Sequence, residues 1–188
     1  MDLNERACDE AHAVPVELRP LDRGFLLRRV GELVALDAAA RAELGDAYSH
    51  ESWGRREFLA ERPAKWRYSV VALAGERLAG FVIASREGAA ARLHRLAVAP
   101  ELRQRGVAGM LVAAVEAAAR RDGLDRLGLS VGSDNASALA FWLRQGFRPL
   151  DAEGHQAYAA ERGLQAAGDA VLAGGRPYRI LEKRMEEG

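Results

Sequence analysis

The sequence predicts an α+β domain in which about seven strands and about four helices share one core. Three observations carry this. Short runs rich in β-branched, aromatic and aliphatic residues, at 68–73, 78–84 and 91–98, follow one another with little but glycine-bearing turns between them. Two stretches, at 25–36 and 107–118, repeat their apolar residues at helical spacing. At 188 residues, 49% of them hydrophobic, the chain suffices for one ordinary core and is short for two.

Residues 1–13 carry charge without periodicity and are expected to form a flexible tail before a single domain over 14–188. Val16-Glu-Leu-Arg alternates and runs into Pro20 like a short edge strand. Phe25, Leu26, Val30, Leu33 and Val34 then mark a helix, and 53–59 offers a shorter one beyond a loop at 45–52. Ala74-Gly75-Glu76-Arg77 reads as the turn of a hairpin joining the next two strands. The third strand of that series stops at Pro100.

Val107, Met110, Leu111, Ala114, Val115 and Ala118 define the clearest helix, which Asp122-Gly123 ends. A strand at 127–131 follows, and Asn135 suits the N-cap of a helix running to Gln145. Gly146 closes that helix before a short strand at 147–150; a helical or irregular segment over 155–173 precedes a last strand at 177–181.

Lysine plus arginine and aspartate plus glutamate balance at 27 each, so no overall field favours nucleic acid or an anionic membrane. One cysteine, Cys8, can form neither an internal disulfide nor a thiolate-rich metal site, and no metal is expected. There is no secretory pattern and no run of about 18 apolar residues, so a cytoplasmic location is expected.

Chemistry concentrates where the strand ending at Pro100 turns through Arg103, Gln104, Arg105 and Gly106 into the amphipathic helix. A helix start offers unsatisfied N–H groups and the positive end of its dipole, and the small residues Gly106, Ala108 and Gly109 let a phosphate approach the backbone. Arg103 and Arg105 can add charge-assisted contacts or remain a solvated surface pair. The segment lacks the Gly-Lys-Ser/Thr ending of a P-loop and the three spaced glycines of a dinucleotide fingerprint.

Arg103-x-x-Gly106-x-Ala108, after a strand ending in Val98-Ala-Pro, resembles the coenzyme A pyrophosphate motif of the GNAT superfamily of N-acyltransferases. Asn135-x-x-Ala138-x-x-Phe141-Trp142-x-x-x-Gly146-Phe147 resembles the second signature of the same family. The resemblance implies a GNAT-type α/β fold: a mixed, mostly antiparallel sheet splayed where the strands end near Val98 and Val131. It also implies that the backbone of Leu96, Ala97 and Val98 pairs with the pantetheine amides. Gln104, Arg105, Gly106, Val107, Ala108 and Gly109 would wrap the pyrophosphate, Asn135 would contact the pantetheine arm, and Phe141 would pack beside it.

The implied reaction is transfer of an acetyl group from acetyl-coenzyme A to a primary amine, with the Val98 N–H as oxyanion donor. Trp142 stands where the family has an acidic tyrosine, and its indole N–H is far too weak an acid to protonate a thiolate. At helical spacing with Leu139 and Leu143, it is either core packing or a wall for substrate. The family's glutamate bases are missing too: 89–100 contains no carboxylate, and the later position is Ser130. His94, Ser130 and Tyr178 are the substitutes, His94 first; placed in alternation with Leu96 and Val98, it is either a structural histidine or a base.

A small-molecule amine is the expected acceptor. A protein N-terminal or lysine acetyltransferase is the alternative, suggested by Trp53 with Phe58, and a non-catalytic acyl-coenzyme A sensor is the reading from another class. A homodimer stays open, since interfaces leave no mark in one sequence.

Overall fold

The computed structural model describes residues 15–45 and 51–185; the expected tail over 1–13, with Cys8, and residues 46–50 of the expected loop lie outside them. The chain starts with β1 (Val16–Pro20) and α1 (Arg23–Leu44), then two short helices, α2 (Arg55–Leu59) and α3 (Lys65–Tyr68). Next come β2 (Val70–Ala74), β3 (Arg77–Glu87), β4 (Ala90–Val98), α4 (Val107–Arg121), β5 (Arg126–Gly132) and α5 (Ala136–Arg144). β6 (Arg148–Pro149), α6 (Ala152–Arg162), β7 (Gln165–Ala166), β8 (Val171–Ala173) and β9 (Arg176–Arg184) complete it.

The nine strands form one sheet in the order β1-β2-β3-β4-β5-β9-β8-β7, with β6 alongside β9. β4 and β5 run parallel; the other pairs are antiparallel. The sheet is thus mixed and mostly antiparallel, with two more strands than the seven expected. The added pair, β7 and β8, forms a hairpin within the stretch expected to be helical or irregular, of which α6 is the helical part.

Helix α1 starts at Asp22, whose carboxylate accepts from the Phe25 N–H at 2.7 Å, and buries Leu26, Val30, Leu33, Asp37 and Ala40. With Phe58, Phe81 and Ala97 it forms the core on one face of the sheet. On the other face α4 buries Leu111 and Val115 against Leu93, Val98, Leu127 and Leu129, and Trp142 of α5 packs at the edge. Each such side chain, fully buried, contributes roughly 1.5–3 kcal/mol. α6 covers a smaller cluster around Ile180, on the same sheet face as α1. No described helix is long and apolar enough to cross a membrane.

One irregularity shapes the rest. The register of β3 against β4 shifts so that Ile83 faces Arg95 while Ala84 faces Leu93, leaving His94 as an extra residue. This is a β-bulge, and it reverses the alternation. Leu93 belongs to the α4 face before it; Leu96 and Val98 belong to that face after it, and Ala97 to the α1 face. His94 therefore does not alternate with Leu96 and Val98 as expected. It shares the α1 face with Arg95.

Candidate active site

The parallel ladder between β4 and β5 pairs Ala90, Ala91 and Arg92 with Arg126, Leu127 and Gly128 and then stops. Beyond it the strands diverge around a cleft of about 620 Å³, walled by residues 93–98 on one side and 129–132 on the other. The hydrogen-bond pattern settles which peptide groups look into it. The Ala99 N–H donates to the Ala79 C=O at 2.9 Å, and Val98 lies opposite Gly80. In an antiparallel ladder bonded and non-bonded pairs alternate, so Leu96 and Val98 turn their N–H and C=O groups to the cleft. Ala97 turns its own back to β3. The three residues thus line the cleft differently, two by backbone and Ala97 as a small wall residue.

At its lower end the cleft meets the start of α4. Gly106 caps the helix at φ 80°, a left-handed conformation suited to glycine, and no side chain caps the first turn. A Cβ there would meet nothing within 4 Å, so the backbone is open to a ligand. Val107, Ala108 and Gly109 follow in the lining, with Gln104, itself left-handed at φ 59°. Arg103 lines the cleft while its Nη1 donates to Glu43 at 2.6 Å and its Nε to the Val98 carbonyl at 3.2 Å; the buried Nη2 has no partner. Arg105 is exposed and outside the cleft lining.

Helix α5 forms another wall. Asn135 is buried and accepts from the Ala138 N–H through Oδ1 at 2.8 Å, so it is an N-cap that also faces the cleft, with its Nδ2 left as the donor for a ligand. Phe141 and Trp142 both line the cleft and meet edge to face at 4.9 Å between centroids. Trp142 also meets Phe147 at 5.2 Å and packs on the core, so it is at once core and wall.

Through the split the cleft reaches the α1 face. His94, half-buried in the bulge, shares a 2.7 Å hydrogen bond between its Nε2 and the Ser85 hydroxyl. Burial pushes its pKa down to about 3, helped by the positive charges of Arg62, Arg92 and Lys65. The imidazole therefore stays neutral at physiological pH and is poorly suited to take a proton from an ammonium. Across the split Ser130 accepts a hydrogen bond from Arg92. Tyr178, opposite Gly132, faces the same space; burial first, then Glu51 and Asp134, push its pKa up.

Residues 33–147 match the family model of the GNAT acetyltransferases, which is more than half of the chain. The chain belongs to the GNAT family. A mycothiol acetyltransferase from Clavibacter michiganensis is 36% identical over 142 residues, covering 69% of this chain; the chain spans 44% of that relative's length. The PaiA N-acetyltransferase of Thermoplasma acidophilum, solved with coenzyme A, superimposes with a TM-score of 0.65 at 19% identity, over 91% of this chain and 99% of that one. The ribosomal-protein-S18-alanine N-acetyltransferase of Escherichia coli gives 0.63 at 15% identity, over 93% and 96%. At such identities these two structures speak for the fold.

The GNAT site contains residues that sequence reasoning missed. Ala40 and Leu44 of α1 and Arg144 and Gln145 at the end of α5 line the cleft, as does Arg95, whose guanidinium is held by Asp37. Asp37 does leave a signal: it interrupts the buried row Leu26, Val30, Leu33 and Ala40 of α1, a place where a lone carboxylate needs a partner. Among the described residues no group of three or more histidine, cysteine, aspartate or glutamate side chains is arranged to hold a metal.

Proposed function

We propose that this GNAT protein transfers an acetyl group from acetyl-coenzyme A to a primary amine of a small molecule. What carries this is the line from the open edge of β4, at Leu96 and Val98, to the uncapped start of α4 at Gly106. An extended amide-bearing arm pairs with the first, and a diphosphate fits the second. Each anion contact at a helix start contributes roughly 0.3–1 kcal/mol when exposed and up to about 2 when partly buried.

In this mechanism the Val98 N–H donates to the oxygen on which negative charge develops as the amine attacks the thioester carbonyl. The Leu96 peptide and the Asn135 amide hold the arm in place. With His94 neutral and Trp142 unable to act as an acid, positioning supplies most of the acceleration. As the N–C bond forms and the C–S bond breaks, the thiolate, with a solution pKa of about 8.5, takes up the proton that the amine sheds, directly or through water. Ser130 and Tyr178 border the space in which the amine approaches.

The small-molecule reading is supported by the name of the 36% identical relative, a mycothiol acetyltransferase. The protein-acceptor alternative rested on Trp53 and Phe58. These rings meet edge to face at 5.3 Å and are 7% and 0% exposed, so they are accounted for as core packing. The deciding experiment is calorimetry with acetyl-coenzyme A followed by thiol release across small amines and N-terminal peptides. Release with small amines supports the proposal; release with peptides alone moves the acceptor to proteins; binding without turnover leaves a sensor; no binding overturns it.

A further inference from the structure

We propose that the acceptor amine carries an acid group of its own, a carboxylate or a phosphate, received beside the Arg92–Ser130 contact on the α1 face of the split. The inference rests on the acetyl-transfer reading above and names the acceptor's chemical class.

Positive charge gathers on the β4 side of the split. The β4 rim presents the bulged pair His94 and Arg95, with Arg62, Lys65 and Arg92 around them. Arg95 is neutralised by Asp37. The other three are not neutralised to the same degree. Lys65 is buried and donates to the carbonyls of Phe58 at 2.5 Å and Ala60 at 2.9 Å, and Glu61 is the carboxylate that acts on it. Arg62 stacks on the Trp53 ring at 5.5 Å, and its buried Nε has no hydrogen-bond partner. Arg92 bonds the neutral Ser130 hydroxyl, with the Glu87 carboxylate 3.8 Å from its Nε. All three cations act on His94, and no carboxylate figures among the groups that shift it.

Across the split, burial first, and then Glu51, whose backbone carbonyl accepts from Arg95, and Asp134 push the Tyr178 pKa up, while Arg176 pushes it down. An acceptor with both an amine and an acid group would set the acid beside Arg92 and the amine towards Ser130 and Tyr178, which line the cleft. Arg92 reaches the cleft through its bond to Ser130 and itself lines a second cavity of about 510 Å³ beneath α6, where it packs on the Tyr158 ring at 5.3 Å. The carboxylates there are already engaged, Glu87 and Glu161 with Arg162 and Glu182 with Arg126. A polyamine or a lysine side chain, by contrast, would bring further positive charge to a rim that has a surplus of it.

The test uses matched acceptors: β-alanine against β-alaninamide, and O-phosphoethanolamine against ethanolamine, each assayed by thiol release from acetyl-coenzyme A. An acid group raises the pKa of its own ammonium, so a preference for the acid member cannot come from easier deprotonation. The expected result is a kcat/KM preference of roughly tenfold or more for the acid member of one pair, as one charge-assisted hydrogen bond provides. Which pair responds separates carboxylate from phosphate. In Arg92→Gln, and separately in Arg62→Gln, that ratio falls towards one, chiefly through KM. Equal or better turnover of the uncharged members overturns the inference and leaves acetyl transfer standing. An unchanged ratio in both variants also overturns it. Turnover of no acceptor at all, with coenzyme binding intact, overturns the transfer reading and this inference with it.

Discussion

Arg95 and Asp37 form a buried two-pronged ion pair, Nε to Oδ1 at 2.6 Å and Nη2 to Oδ2 at 2.7 Å, with side chains 5% and 2% exposed. It joins the bulge of β4 to the middle of α1, and Arg95 also donates to the Glu51 carbonyl at 2.9 Å. The pair thus fixes the β4 rim of the split against the helix that walls the cleft. Removing one partner leaves the other charge buried without compensation. Asp37→Ala is expected to cost about 3–5 kcal/mol in urea unfolding, and the double replacement Asp37→Leu with Arg95→Met to recover most of it. A double variant no more stable than Asp37→Ala would show that the pair itself, and not the burial of a lone charge, is what counts.

The stretch from β4 to α5 was legible in the sequence because its signals are local: an alternating run, a proline stop, a helical repeat and an Asn cap lie end to end. The bulge was not, because His94, Leu96 and Val98 alternate in sequence whether or not the ladder slips. Only the pairing with β3 reveals that Arg95 belongs with His94. Helix α3 was hidden for a related reason. It is a single turn, entered through Ala64 at φ 53°, and its buried Lys65 breaks any apolar pattern. Distant pairs such as Asp37 with Arg95 could be suspected from one end but not completed, since nothing local names the partner.

At the start of α4 the prediction is loss of ligand with the fold retained. Gly106→Glu fills the open space beside the first-turn N–H groups and adds a negative charge where a phosphate would sit. Coenzyme A affinity is expected to fall by at least about a hundredfold by calorimetry, the scale of losing two or more charge-assisted contacts. Far-ultraviolet circular dichroism should change little. Undiminished affinity would mean that the diphosphate does not bind here.

Gly80 sets how closely β3 and β4 approach. A Cβ at this position would lie 2.9 Å from the Ala97 carbonyl oxygen and 3.3 Å from a Leu111 methyl. A backbone oxygen cannot swing aside, so Gly80→Ala must move β4, at a cost of about 1–3 kcal/mol typical of overpacking. Val98 sits opposite Gly80 and would move with it. The variant should therefore lose stability and coenzyme A affinity together; a loss of stability with affinity intact would separate Val98 from the ligand.

Trp142 gives a test of the chemistry. Its indole cannot supply a proton to a thiolate, so Trp142→Phe, which keeps the edge-to-face contacts with Phe141 and Phe147, should change kcat by less than about tenfold. A drop of about a hundredfold or more in single-turnover experiments would be the size of a lost general acid and would give the indole a part in the reaction.

His94 links the site to pH. Its folded pKa is depressed to about 3, by burial first and then by Arg62, Arg92 and Lys65, against an ordinary value of 6.5. Between these values the unfolded chain binds a proton at this position that the folded chain does not. Stability contributed by the neutral imidazole is therefore fully present above about pH 6.5 and lost progressively as pH falls towards 3. Replacing His94 with glutamine removes that proton linkage while keeping a partner for the Ser85 hydroxyl, so the decline in stability between pH 6.5 and 4 should be shallower in the variant. The same depression predicts that kcat/KM shows no inflection near 6.5 attributable to this residue, and that any rise with pH follows the acceptor's own ammonium. An inflection near 6.5 that vanishes in His94→Gln would restore the imidazole as a titrating base in the working enzyme.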